Sequence, residues 1–218
     1  MSKTFWIIAM DGGAGSGKST TASLLSQRLD LMHVDTGLHY RSITKFLLDS
    51  EVEPTRVEDW INSNELELSS FIQNRKSFLL INEKRFVQEE LRSEIINQEV
   101  SKYASIRFVR ELLFSYQRNQ VELARQLSLS GVVMEGRDIG TIILPDADLK
   151  VFLYADERVR ENRRLKEGES DQISSRDKLD SNRKIAPLRE STGSIRLDTS
   201  ELAIEQVYFE IEKAIKDK

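Results

Sequence analysis

No cysteine occurs in the 218 residues, which excludes a disulfide scaffold, a thiolate zinc site, an iron–sulfur cluster and a cysteine nucleophile. Two histidines, His33 and His39, are too few to build a multi-histidine metal site. Proline is nearly as scarce, with 3 residues, and glycine stands at 10, so collagen-like repeats and low complexity do not apply. No stretch approaches the roughly 20 apolar residues that span a bilayer. The opening apolar run, residues 5–10, is too short for the core of a signal peptide and is stopped by Asp11. It is expected to be a buried strand, and the protein cytoplasmic. Neither sign of charge dominates: 32 basic against 36 acidic residues give a net −4, which argues against a general nucleic-acid binder.

What is present is enough for a folded domain. A chain that is 39% hydrophobic and 31% charged can bury a core, and its length suits one domain carrying an insert. Five short apolar runs bounded by turn signals read as buried parallel strands: residues 5–10, 31–34, 132–134, 149–154 and 194–197. Amphipathic stretches follow the first and the last, over 19–29 and 202–216. This alternation predicts an α/β fold, a five-stranded parallel sheet with helices on both faces. Between residues 35 and 131 the rhythm breaks into polar helical pattern, with a strand-like piece at 77–82 and a long helix over about 106–128. The expected core is thus 1–37, 111–155 and 184–218, with an inserted subdomain at 38–110 and a short lid at 156–183 that ends at Ala186-Pro187.

Gly12-Gly13-Ala14-Gly15-Ser16-Gly17-Lys18-Ser19, continued by Thr20, fits G-x-x-x-x-G-K-[ST] between a predicted strand and a predicted helix. Glycines let backbone N–H groups wrap a polyphosphate, and the helix adds its positive end. Lys18 then supplies a cation for the β- and γ-phosphates and Ser19 a hydroxyl for Mg²⁺. The chain is expected to bind a nucleoside triphosphate.

Three further clusters narrow the class. Asp35-Thr36-Gly37-Leu38-His39-Tyr40-Arg41 follows the second strand, where ligands of open α/β sheets bind, and Arg41 can fork onto a phosphate. Glu135-Gly136-Arg137-Asp138 follows the third strand; Arg137 could clamp a phosphate and Asp138 could accept from an amine or support Mg²⁺ through water. In a helix, Arg176, Asp180 and Arg183 would share a face, as would Arg160, Arg163 and Arg164. Beside a phosphate loop, these arginines suit a flap over a phosphoryl-transfer site. No N-K-x-D motif follows the loop, which disfavours a GTPase switch.

These motifs together resemble a bacterial-type cytidylate kinase, a P-loop kinase of the nucleoside monophosphate kinase family. The match runs in order from the phosphate loop through Asp35-Thr36-Gly37…Tyr40-Arg41 and Gly136-Arg137-Asp138-Ile139-Gly140-Thr141 to Arg176-Asp177…Asp180…Asn182-Arg183 and Leu197-Asp198-Thr199-Ser200. The resemblance implies transfer of the γ-phosphoryl of ATP to CMP or dCMP with Mg²⁺. It assigns the acceptor's phosphate to Arg41, Arg137 and Arg183, the cytosine to Thr36, Arg110 and Asp138, and the ribose to Ser105, Arg176 and Asp180. Tyr40 joins the acceptor site, and Lys18, Arg41, Arg137 and Arg183 are the expected catalytic set. Residues 12–20 and Arg160 would hold ATP, Ser19 the metal, and Asp35 a metal-bound water. The insert becomes the acceptor-binding subdomain. A monomer without nucleic-acid or membrane partners is expected. Two alternatives stay open: a different or broader (UMP/CMP) nucleoside monophosphate kinase, and a catalytically weak nucleotide-binding regulator.

The sequence departs from the family pattern in three places. Leu38-His39 stands where a small residue and Met or Ile are usual, and His39 is expected to be a loop residue with a local hydrogen bond. Ser105 and Arg110 stand closer together than usual. The stretch between Arg164 and Arg176 is shortened.

Overall fold

The chain was described from a computed structural model covering residues 5–166, 168 and 173–218, the side chains of 174–176 excepted. The helices and strands run β1 (Trp6–Gly12), α1 (Lys18–Leu29), β2 (Leu31–Asp35), α2 (Thr36–Asp49), α3 (Val57–Ser63), β3 (Leu68–Gln73) and β4 (Lys76–Ile81). There follow α4 (Gln88–Leu91), α5 (Glu94–Ala104), α6 (Arg107–Gln126), β5 (Gly131–Gly136), β6 (Leu149–Tyr154), α7 (Glu157–Lys166), α8 (Ile173–Ser181), β7 (Ile195–Asp198) and α9 (Ile204–Lys216).

All five expected strands form, and they lie side by side in the order β2-β5-β1-β6-β7, every pair parallel. Their near-continuous apolar sequences are explained by burial on both faces. Successive side chains alternate: Ile8, Met10 and Val133 meet Ala22 and Leu25 of α1 and Val207 and Ile211 of α9 on one face. Ala9, Met32, Val34 and Met134 meet Val121 and Ala124 of α6 on the other.

The sheet is larger than five strands. β4 joins the β2 edge in parallel, pairing His33 with Lys76, and β3 folds back on β4 antiparallel, giving seven. The turn between β3 and β4 is Asn74-Arg75, both at positive φ (50° and 64°), the geometry of a two-residue hairpin whose twist matches its strands. β3 escaped the sequence reading because it is an edge strand, half-exposed, with Phe71 open to solvent and no clean alternation. The inserted stretch is therefore continuous with the main sheet. Its helices have a core of their own, where Leu38, Ile43 and Leu47 of α2 meet Ile96, Tyr103 and Leu113 of α5 and α6.

Candidate functional site

The phosphate loop leaves β1 and turns into α1 through Gly15 and Gly17, both at positive φ (68° and 88°), which only glycine adopts without strain. Lys18 folds back so that Nζ donates to the Gly13 carbonyl at 2.7 Å. Burial, and then the nearby Arg137 charge, push its pKa down to about 8. The loop's outer rim is tied by arginines of α7: Arg160 donates to the Ala14 carbonyl at 3.0 Å and Arg163 to that of Gly15 at 3.3 Å. Arg163 also reaches the Thr199 carbonyl at 2.5 Å, while the Thr199 hydroxyl donates to Ser16 O at 3.1 Å.

Two carboxylates stand beside the loop. Asp35 and Glu135 are register partners at the ends of β2 and β5. Ser19 Oγ donates to Glu135 Oε2 at 2.9 Å, and His33 Nε2 lies 2.8 Å from Glu135 Oε1. Asp35 caps α2 by accepting from Leu38 N–H at 3.2 Å. Burial pushes the Asp35 carboxyl up, but Lys76, His33 and that N–H together hold it below its ordinary value. Thr36 donates to the Glu135 carbonyl at 2.8 Å. Its hydroxyl is so close to Gly136 that a Cβ there would come within 2.5 Å, so the turns after β2 and β5 pack only because residue 136 has no side chain.

The turn after β5 is fixed from below by Asp11, which accepts from Ile139 N–H at 2.7 Å and Gly140 N–H at 2.8 Å. Burial pushes Asp11 up to about 6 despite these donors. The turn thereby aims Arg137 and Asp138 in different directions. Arg137 donates to the Gly12 carbonyl at 2.5 Å and pairs with Asp180 at 2.9 Å. Asp138 pairs with Arg110 of α6, whose other amine donates to the Ala104 carbonyl at 3.1 Å. The Arg110 guanidinium also lies 5.2 Å from the Tyr40 ring centroid. Burial raises the Asp138 carboxyl, against the pull of Arg110 and Arg183.

Most of the residues expected to act together do line one cleft of about 150 Å³: Lys18, Ser19, Asp35, Thr36, Tyr40, Arg41, Arg137, Asp138 and Arg183. Arg41, almost fully buried, is braced by the Leu91 carbonyl at 2.6 Å. A second cavity, about 420 Å³, opens on the far side of the loop between Thr20, Arg163, Thr199, Leu202 and Ile204.

Several expectations are corrected. Ser105 is exposed and spends its hydroxyl on the Lys102 carbonyl of its own helix, 2.6 Å away. One turn earlier, the buried Ser101 faces Asp180 at 3.5 Å, and its spacing of nine residues from Arg110 removes the shortened interval. Arg183 does not share a helix face with Asp180, because α8 ends at Ser181; it bends back to donate to the Asp180 carbonyl at 3.3 Å. His39 is not a loop residue: it lies within α2, fully buried, its ring edge-on to Tyr116 at 5.2 Å, with neither nitrogen hydrogen-bonded among the described residues. The Arg176 side chain lies outside the described residues, as does part of the expected lid.

Sequence reasoning gave no role to Glu135, Asp11, Thr199 and Asp177, and named Arg163 only within the arginine face of the flap. Asp177 of α8 accepts from Ala14 N–H at 3.2 Å and pairs with Arg160 and, at 3.4 Å, with Arg137, so a carboxylate sits on the phosphate loop itself. Glu135 and Asp11 did carry a signal, an acidic residue inside or ending a buried strand.

A model of the cytidylate kinase family matches residues 8–217. The chain belongs to that family. A cytidylate kinase of Clostridium botulinum is 41% identical, over 96% of this chain and 97% of the relative. One of Chloroherpeton thalassium is also 41% identical, over 92% and 88%. Among solved structures, an uncharacterized protein from Eubacterium ventriosum aligns with a TM-score of 0.50 at 16% identity, covering 98% of this chain and 99% of its own, which speaks to the fold alone. No helix among the described residues is long and apolar enough to cross a membrane.

Proposed function

We propose that this chain transfers the γ-phosphoryl group of ATP to CMP or dCMP, releasing ADP and CDP or dCDP. The observation that carries the reading is a single cleft lined by the phosphate loop's Lys18, by Arg41, Arg137 and Arg183, and by Asp138, which the buried Arg110 pairs from behind. Cytosine offers an amino donor at N4 and acceptors at N3 and O2, so a carboxylate beside a guanidinium complements its edge. Uracil would set a carbonyl against Asp138, a mismatch between two acceptors.

No general base is needed. The acceptor is a phosphate monoester with a second pKa near 6, so its oxygen is largely anionic at neutral pH. The chain's task is to hold two polyanions in line without water. Arg41, Arg137 and Arg183 would grip the acceptor phosphate, Lys18 and residues 12–20 the donor, and Arg137, bonded to both the loop and Asp180, stands between them. Ser101 with Asp180, rather than Ser105, fits the ribose hydroxyls. The cavity over Thr20, Leu202 and Ile204 suits the donor base, with Arg160 and Arg163 closing on the loop. Residues 38–110 would then serve as the acceptor-binding subdomain and 156–183 as the lid.

The oxygens of Ser19 and Glu135, with Asp35 one strand away, form a hard donor set that fits Mg²⁺. When bound, the metal neutralises β,γ-phosphate charge. A monomeric, cytoplasmic enzyme completes the proposal.

Coupled-assay rates with CMP, dCMP, UMP, AMP and GMP test the proposal. Transfer to CMP and dCMP well above the others is expected. Comparable rates with UMP would make it a broad pyrimidine kinase, and ATP binding without transfer to any monophosphate a regulator.

A further inference from the structure

His33 is a buried ionisable side chain that phosphoryl transfer, as described, leaves without a task. It stands on β2, 4% exposed, and its backbone is fixed on both sides: its N–H donates to the Arg75 carbonyl at 2.9 Å, and it registers against Lys76 of β4 and Val133 of β5. Being two residues before Asp35, it projects from the same face of the sheet as that carboxylate. Its Nε2 lies 2.8 Å from Glu135 Oε1, while Glu135 Oε2 accepts from Ser19 at 2.9 Å. A carboxylate has only acceptors to offer, so Nε2 carries the hydrogen and donates.

We propose that His33 is a positioning residue that holds one oxygen of Glu135 so that the other faces the Ser19 corner, where the metal of the nucleotide complex binds. The proposal rests on the reading of that corner as the Mg²⁺ site. Glutamate has three rotatable bonds, and a buried carboxylate left with one partner turns toward a competing cation. Lys18, which interacts electrostatically with Glu135, is one such cation. Such a turn would remove an oxygen from the metal and draw Lys18 from the phosphates. A histidine on a central strand prevents it at small entropic cost, because its ring has two torsions and its backbone cannot shift.

The test compares His33→Gln, His33→Asn and His33→Leu with Glu135→Gln and Ser19→Ala, reading Mn²⁺ binding to each enzyme–ADP complex by electron paramagnetic resonance, with metal-free ADP affinity and thermal midpoint alongside. Glutamine can place an amide N–H where Nε2 was; asparagine carries the same group one carbon short. Loss of the positioning donor is expected to weaken Mn²⁺ binding about tenfold or more in the Asn and Leu variants, as for other residues that orient metal ligands. The Gln variant is expected to recover most of it, and metal-free ADP affinity in the His33 variants to fall far less than Mn²⁺ binding does. If the Leu variant does not fold, the Asn–Gln pair decides. Wild-type Mn²⁺ binding in His33→Asn, with binding lost in Glu135→Gln and Ser19→Ala, overturns the role of His33 alone. Wild-type binding in all of them overturns the metal corner too.

Discussion

The two ends of the cleft hold their charges differently. At the proposed base-reading side, Arg110 and Asp138 are 7% and 3% exposed, stand on α6 and the turn after β5, and are satisfied by each other. Burial dominates their surroundings, pushing Tyr40 up to about 12. At the phosphate-loop end, arginines of α7 and the β5 turn bind backbone carbonyls, and more of each guanidinium meets solvent. The contrast fits the ligands proposed for each. A neutral base edge is told from its analogue only by fixed, desolvated partners that lose a hydrogen bond to the wrong base. A polyphosphate needs total positive charge and many N–H groups, which several side chains can share.

Four substitutions would break or sharpen this contrast. The largest effect is expected from Lys18→Ala, which should lower transfer about 1000-fold or more while leaving CMP binding, measured by calorimetry, near wild type. Loss of CMP binding as well would mean that the two ends are not separable. Next, Asp138→Ala should erase about 100-fold or more of the preference for CMP over UMP in kcat/KM, with KM for ATP little changed. An intact preference would move base reading elsewhere.

Third, buried groups around the cleft should make stability depend on pH. His39, neutral in the fold with a pKa of about 4 against an ordinary 6.5, contributes stability that is present above 6.5 and lost as pH falls toward 4. Asp11, raised to about 6 from 3.8, does the reverse: its contribution is full below 3.8 and lost as pH rises through 6. The two oppose each other in wild type. His39→Met should therefore gain about 2 kcal/mol relative to wild type on going from pH 7 to 4.5, read by urea denaturation. Parallel stability curves would show that His39 is solvated. The smallest effect concerns the more exposed end. Asp177 occupies a loop N–H and two guanidiniums that phosphate also needs. Asp177→Asn should tighten ATP binding without acceptor by about fivefold at most, since a partly solvated pair is worth little. Weaker ATP binding would instead make Asp177 part of the donor site.

Much of this was legible beforehand because its signals are local. Apolar runs marked five strands within a residue or two, and the loop sequence around Lys18 could be read from glycine spacing alone. Ser105 against Ser101 was not legible: both are serines of one segment, and only the turn of α5 decides which faces Asp180. Arg183 required knowing that α8 stops at Ser181. β3 required a neighbour for its edge, and His39 required the packing of α2 on α6.

The amino-acid order thus determined the sheet's central strands, the phosphate loop and the kinds of side chain available, since each depends on residues a few positions apart. The three-dimensional packing decided the partners: Arg110 with Asp138, Arg137 with Asp180, Glu135 with both Ser19 and His33. Those partnerships join residues as much as 116 positions apart, and a charge buried among them is stable only beside the particular partner that the fold brings to it.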